Sequence, residues 1–379
     1  MNVLGDPFVF WTLRLLLFAI LFICGSNLSK SKTKNFTAFL WVAIIAYALI
    51  EGLRWMRGTD YENYFIHFNT GVCEKDEPLY NIFISFVHSL NISPILVFVF
   101  LSGFFLAGLG IIFKNFRPAA IWGLPLIYLM LGYQAENLVR QYFAISFLGL
   151  AYYFYYKDET KWMLFSLLIA PLIHISGILG TVFFLLFTWK KIELRFWWLF
   201  VIVYCAAYFL WNPEWLSNVA VVLGAINVDD SSAMSMYITN AEHHFSEEGS
   251  LSAMEGIVIK RSRINVAIYF LTDLAVIIVG YFACLKNKKL VLIYLFSYIG
   301  IICQVLFGDI QVLMRFGYWF SWMCPFLVAL VVIYKDYGKY SFLKYIVLFL
   351  LFARYVFYGI INNIGHITME EGCMFIWDK

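Results

Sequence analysis

The stretch PILVFVFLSGFFLAGLGIIF, residues 94–113, decides the fold. It runs 20 residues without a charge, and about 20 residues is what a helix needs to cross the hydrocarbon core of a bilayer. Comparable apolar windows lie on both sides of it. We read twelve: 8–26, 37–53, 94–113, 119–133, 143–156, 162–173, 175–189, 196–211, 264–284, 290–307, 317–334 and 345–361. The windows 162–173 and 175–189 are short for two crossings, and one long or re-entrant helix is the alternative. The expected fold is an all-α integral membrane protein, a single polytopic domain over 1–379 with about 12 transmembrane helices.

Composition agrees. Of 379 residues 63% are hydrophobic and 13% charged, with mean hydropathy +0.79. A soluble chain of this make-up lacks the polar surface to cover itself, so the lipid bilayer is part of its solvent. The 27 basic and 24 acidic residues are too evenly balanced for a nucleic-acid partner.

Orientation follows from where lysine and arginine fall between the windows. Alternate short loops are basic: Lys30, Lys32 and Lys34; Lys114 and Arg117; Lys157 and Lys161; Lys190, Lys191 and Arg195; Lys286, Lys288 and Lys289; Lys335, Lys339 and Lys344. They hold 16 basic residues against 9 on the other face, so they are read as cytoplasmic. Both termini and the loops 54–93 and 212–263 then face outward. The N-terminus lacks the basic start and small-residue cleavage site of a secretory signal, so the first span is expected to remain as an anchor. Cys73 and Cys373 both fall in outer segments and are candidates for a disulfide in an oxidising compartment.

The outer face carries arginines that positive-inside sorting should deplete. Arg54 and Arg57 open the 54–93 loop, Arg140 sits in QAENLVRQYF and Arg315 in GDIQVLMRFGYWF. Each alone reads as an interfacial anchor. Four together, beside aromatic and amide residues, suggest an anion site, because guanidinium offers a planar fork of donors suited to phosphate oxygens. Tyr61 and Tyr64 are candidates to stack on sugar rings, and Gln141 to bond hydroxyls; an ordinary aromatic belt is the alternative. His174, in IAPLIHISGILG, lies in mid-stretch, where an unpartnered imidazole is costly. Glu51 and Arg54 are three apart and are candidates to pair on a helix. Asp273 and Arg354 lie within spans and are expected to pair with other helices. His243 and His244 look like half a metal site, but neighbouring residues point apart on any regular element, and a solvated loop is the simpler reading. No nucleotide-binding or zinc-hydrolase motif is present, so nucleotide-driven transport and zinc chemistry have no support.

These residues form a pattern. GLRWMRGTDYENYF (52–65), EPLYNIFI (77–84), VRQYFAISFLGLAYY (139–153) and IAPLIHISGIL (169–179) occur in that order. The chain thereby resembles the EpsG family of Wzy-type polysaccharide polymerases, whose blocks read G-x-R-[YW]-x-x-G-T-D-Y-x-x-Y, an acidic-proline helix, R-Q-x-x-A and F-H-x-S-x-L. Ile173 stands where that family has an aromatic residue before the histidine, and position 57 is variable in it, so Arg57 stands on its location alone.

The resemblance implies glycosyl transfer by a bundle similar to lipid-linked GT-C glycosyltransferases. It would join undecaprenyl-diphosphate-linked oligosaccharide repeats on the outer face of the bacterial inner membrane, with no cofactor and no metal. A chain-length regulator protein is a candidate partner. A diphosphate leaving group carries its own charge, so the site needs cations on its oxygens; Arg54, Arg140 and Arg315 are the candidates, with Arg57 behind them. The acceptor hydroxyl must lose a proton, for which Asp60 and His174 are the candidate bases, while Tyr61, Tyr64 and Gln141 would orient sugars. The rival readings are a flippase for lipid-linked sugar, an O-antigen-type ligase and a sugar acyltransferase. A flippase usually shows internal repeats, and none is seen.

Overall fold

The computed structural model describes residues 6–30, 33–58, 60–73, 77–189, 194–211, 263–285, 287–308, 311–338, 341–357 and 374–378. The expected outer segment from 212, with His243 and His244, lies outside the described residues as far as 262, and so does Cys373. Among the described residues the named elements are all helices. Two long ones open the chain, α1 (Pro7–Lys30) and α2 (Thr33–Gly52). The stretch that hydropathy leaves as an outer loop contains two more, α3 (Tyr61–Thr70) and α4 (Pro78–Ser89). Then come α5 (Pro94–Gly110), α6 (Ala120–Asn137), α7 (Val139–Tyr156), α8 (Thr160–Ile173), α9 (Gly177–Trp189) and α10 (Trp197–Leu210). The distal half supplies α11 (Arg263–Leu285), α12 (Val291–Phe307), α13 (Gln311–Ser321), α14 (Cys324–Ile333) and α15 (Leu343–Leu351), the last continued by a π-turn over Phe352–Phe357.

The apolar windows resolve unequally. Four helices among the described residues are long and apolar enough to cross a bilayer: Pro7–Lys30, Asn35–Gly52, Pro94–Lys114 and Val266–Leu285. The window 317–334 belongs to a pair, Leu313–Ser321 and Cys324–Ile333, bent by 43°, which counts as a fifth if it is one span. Pro325 opens the second member, where its missing N–H costs nothing and its ring ends the preceding helix. The windows 162–173 and 175–189 are not one long helix. They form a hairpin in which the Thr181 hydroxyl reaches the Leu167 carbonyl at 3.1 Å. At 1.5 Å per residue each arm is about 20 Å long, well short of the ~30 Å core.

α7 is buried on almost every side from Val139 to Tyr152, as expected of a central helix. It meets α5 where both backbones are bare: a Cβ on Gly149 would stand 2.6 Å from the Gly108 carbonyl oxygen, and one on Gly108 would stand 2.7 Å from that of Ser146. Small residues at such crossings let membrane helices approach by van der Waals contact, since lipid supplies little hydrophobic drive between them. Outward-facing side chains are apolar, with Ile23, Trp41, Ile45 and Leu168 all more than half exposed. That surface suits lipid rather than water.

Four of the basic loops meet at one end, those around Phe36, Arg117, Asp158 and Lys289. The Arg117 guanidinium lies 5.5 Å from the Phe36 ring, Phe116 meets Tyr156 with ring centroids 6.3 Å apart, and Lys289 Nζ reaches Asp158 at 2.5 Å and the Tyr156 carbonyl at 2.7 Å. α5 runs toward that end, α6 away from it and α7 back again, so Glu136 and Arg140 lie at the opposite end. Asp273 and Arg354 pair with each other as an ion pair, and Arg354 also donates to the Tyr269 carbonyl at 3.0 Å.

Candidate functional site

At the end away from the basic loops the 54–58 segment forms a tight knot. Met56 (φ 50°) and Gly58 (φ 103°) both take left-handed backbone, which glycine adopts freely and methionine does not. A Cβ on Gly58 would also stand 2.9 Å from Asn137 Oδ1. The C-terminal segment pins the knot from outside: Trp55 N–H donates to the Met374 carbonyl at 3.0 Å, and Ile376 N–H to the Leu53 carbonyl at 3.1 Å.

Beneath the knot lies a buried charge cluster. Arg14 of α1 bonds Glu51 of α2 at 2.9 Å and also bonds Glu136 of α6, while Arg57 reaches Glu51 at 3.2 Å and Glu136 at 3.1 Å. Phe10 and Phe375 each lie 5.2 Å from the Arg57 guanidinium. Arg54 does not pair with Glu51 as the three-residue spacing suggests. α2 ends at Gly52, so Arg54 leaves the helical face and donates to the Glu136 backbone carbonyl at 2.8 Å. Burial draws its guanidinium below the ordinary value, and Glu136 opposes this. Both arginines of the motif are thus turned inward, 2% and 0% exposed. Removing one partner from a buried ion pair costs about 3–5 kcal/mol because it strands a charge. We therefore expect Glu136→Ala to lower stability by about that much, read as unfolding of detergent-solubilised protein; wild-type melting would show that the cluster is not holding the fold.

A second polar centre lies beside it. Glu77, 2% exposed, accepts from Arg140 Nη1 at 2.6 Å through one carboxylate oxygen and faces His174 Nδ1 at 2.5 Å through the other. His174 occupies the apex of the α8–α9 hairpin, where α8 stops after Pro171 and the chain turns: Gly177 N–H donates to the His174 carbonyl at 2.7 Å. The Trp319 ring stands 5.9 Å from the imidazole and its Nε1–H donates to Ser176 Oγ at 3.0 Å, which ties the apex to α13. The Arg140 guanidinium lies 5.4 Å from the Tyr80 ring and 5.8 Å from the Tyr64 ring. Cys73 is half-buried, with Sγ 3.7 Å from Arg140 Nη1.

The remaining candidates divide. Gln141 donates to the Arg315 carbonyl at 2.7 Å, which holds α13 against α7, and the Arg315 side chain is exposed. Arg140, His174, Gln141 and Arg315 therefore share one region. Asp60 is half-buried at the start of α3 and makes no capping bond there. Tyr61 and Tyr64 turn into the protein rather than toward a ligand. Tyr61 stacks on Phe98 at 4.7 Å and its hydroxyl donates to the Arg54 carbonyl at 3.3 Å. Tyr64 packs on Phe68, and burial pushes its hydroxyl above the ordinary value against the pull of Arg140. The cause is helical: Tyr61, Tyr64 and Phe68 fall on the one face of α3 that packs inward. Glu77 is the member that sequence reading did not single out, although it opens the block EPLYNIFI. Among the described residues no three His, Cys, Asp or Glu side chains converge as a metal site would require.

The comparisons with known proteins stand beside this geometry. The family model described as the EpsG family matches residues 37–370. No curated protein and no solved structure matches the chain.

Proposed function

This chain belongs to the EpsG family, and from that membership we propose that it joins undecaprenyl-diphosphate-linked oligosaccharide repeats into a polysaccharide. The family implies a polysaccharide polymerase-like membrane protein. The finer reading is a bundle of about twelve crossings, similar to lipid-linked GT-C glycosyltransferases, in the bacterial inner membrane, with its site on the periplasmic or exterior face.

The observation that carries it is the meeting of Arg140 and His174 on one carboxylate, at the end away from the basic loops. Transfer from a polyprenyl diphosphate needs positive charge where the leaving oxygens develop theirs and a base near the attacking hydroxyl. Arg140 supplies a guanidinium fork and the exposed Arg315 a second cation, with Gln141 fixing their spacing. His174 takes the proton and Asp60 is the alternative base. Arg54 and Arg57 act through the buried cluster, shaping the knot rather than touching diphosphate.

The test is reconstitution. Purified protein in vesicles, given undecaprenyl-diphosphate-linked repeats and no nucleotide sugar, should yield a ladder of longer glycans, and the ladder should survive EDTA because arginines neutralise the leaving group. Movement of unextended repeats across the vesicle would replace the reading with a flippase, and transfer of finished polymer to a different acceptor with a ligase. Loss of turnover in EDTA, restored by magnesium, would make Asp60 a metal ligand instead of a base.

A further inference from the structure

Glu77 stands at the N-cap of α4, followed by Pro78. An acidic residue there ordinarily turns its carboxylate back onto the free N–H groups of the first helical turn. This one makes no capping bond. Its oxygens point across the protein, one to Arg140 Nη1 at 2.6 Å and one to His174 Nδ1 at 2.5 Å, although these partners lie 63 and 97 residues away in sequence. A carboxylate that accepts from a guanidinium has no proton to give, so the bond to the ring is made by Nδ1–H. In the neutral ring Nε2 is then the unprotonated nitrogen. The Trp319 ring flanks the imidazole but its N–H is turned to Ser176, so it does not compete for that nitrogen. The imidazole is 22% exposed and reachable from outside the protein, whereas Glu77 is 2% exposed.

We propose that Glu77 is a positioning residue that holds His174 in the Nδ1–H tautomer, leaving Nε2 to receive the acceptor's proton, while the same carboxylate orients Arg140 toward the leaving diphosphate. This deepens the polymerase reading and rests on it for the reaction, though not for the tautomer. In the step, the acceptor hydroxyl oxygen forms a bond to the anomeric carbon. The bond from that carbon to the diphosphate oxygen breaks, and its electron pair leaves with the diphosphate. The hydroxyl proton passes to His174 Nε2, the imidazolium is held by the Glu77 carboxylate, and the proton is later released to water. One buried acid thus couples the proton acceptor to the leaving-group cation, so both are in place together or not at all.

The experiment uses the full chain labelled with ¹⁵N-histidine, the His174 signals being assigned by their absence in His174→Ala. In the wild type they should report a protonated Nδ1 and a bare Nε2. Glu77→Gln, whose amide can donate as well as accept, should admit the other tautomer and lower kcat by about 10²- to 10⁴-fold, the range that a positioned base contributes. Adding Glu77→Gln to His174→Ala should cost clearly less than Glu77→Gln costs alone, only the part carried by Arg140 remaining, because residues acting as one unit are not additive. Should Glu77→Gln unfold because Arg140 loses its counter-charge, Glu77→Asp keeps the charge but shortens the reach. It should melt near the wild-type temperature and still mix the tautomers. A wild-type tautomer that persists in these variants with normal turnover, or losses that multiply in the double variant, overturns the proposal. A wild type that extends no lipid-linked repeat overturns the polymerase reading, and the nitrogen signals then still decide whether Glu77 holds His174.

Discussion

Arg140→Lys is expected to lose polymer synthesis nearly as completely as Arg140→Ala. The reason is the way the guanidinium is already engaged: one nitrogen, Nη1, is taken by Glu77 at 2.6 Å. An arginine keeps N–H donors on its other terminal nitrogen, in a rigid fork, with which to meet diphosphate oxygens, whereas an ammonium is a single point charge that Glu77 would hold for itself. Removing one well-placed donor from an oxyanion site costs about 10²- to 10³-fold in rate, and a similar loss is expected here for both variants. They should part in stability. Alanine strands the buried Glu77 carboxylate and should destabilise by several kcal/mol, while lysine preserves a counter-charge and should fold normally. Arg140→Lys is therefore the decisive variant: protein at wild-type level, wild-type melting, no ladder. Full-length polymer from it would reduce Arg140 to a counter-ion for Glu77.

This site was only half legible in the chain. The apolar windows located helices closely, as with 94–113 against Pro94–Lys114, because membrane length and hydropathy leave few alternatives. The 54–93 segment was read as loop because α3 and α4 are short and mixed in polarity, with no long periodic run to mark them. Arg54 and Arg57 were noticed for being on the wrong face, but sequence cannot tell an arginine aimed at substrate from one aimed at Glu136, 79 or more residues away. Arg14, inside the first span, went unremarked although it completes that cluster. Glu77 was hidden by its neighbour: an acid before proline reads as a helix start, and only its forgone cap and its two distant partners reveal another use.

On the proposed reading, the buried cluster serves the fold and the Glu77 centre the chemistry. In the first, three arginines and two acids are 2% exposed or less, with rings of α1 and of the C-terminal segment against Arg57. Nothing so enclosed meets a lipid-linked sugar, and its value lies in setting the 54–58 knot against α6. In the second, burial falls off from Glu77 to the partly exposed His174, the gradient that the proposed roles of orienting group and proton acceptor require.

His174→Ala should abolish elongation while leaving the protein folded and able to bind its lipid-linked donor. The backbone makes the hairpin apex without the imidazole, through His174 N–H to the Ala170 carbonyl at 3.1 Å and Gly177 N–H to the His174 carbonyl at 2.7 Å. Trp319 still ties Ser176 to α13, and Glu77 keeps Arg140 as its counter-charge, so no buried carboxylate is stranded. The stability loss is then that of one interhelical hydrogen bond in a membrane protein, about 0.6 to 2 kcal/mol. Donor affinity rests with Arg140 and Arg315 and should change little, so the deficit belongs in kcat. His174→Gln preserves a hydrogen bond to Glu77 but cannot accept a proton at neutral pH, and it should recover stability without recovering more than a trace of polymer. Ladder length and thermal stability measured on the same preparations separate the roles. A variant that melts early yet still polymerises makes His174 a strut between helices, whereas one that is stable, binds lipid-linked repeats and extends none of them leaves the proton as the only thing it has lost.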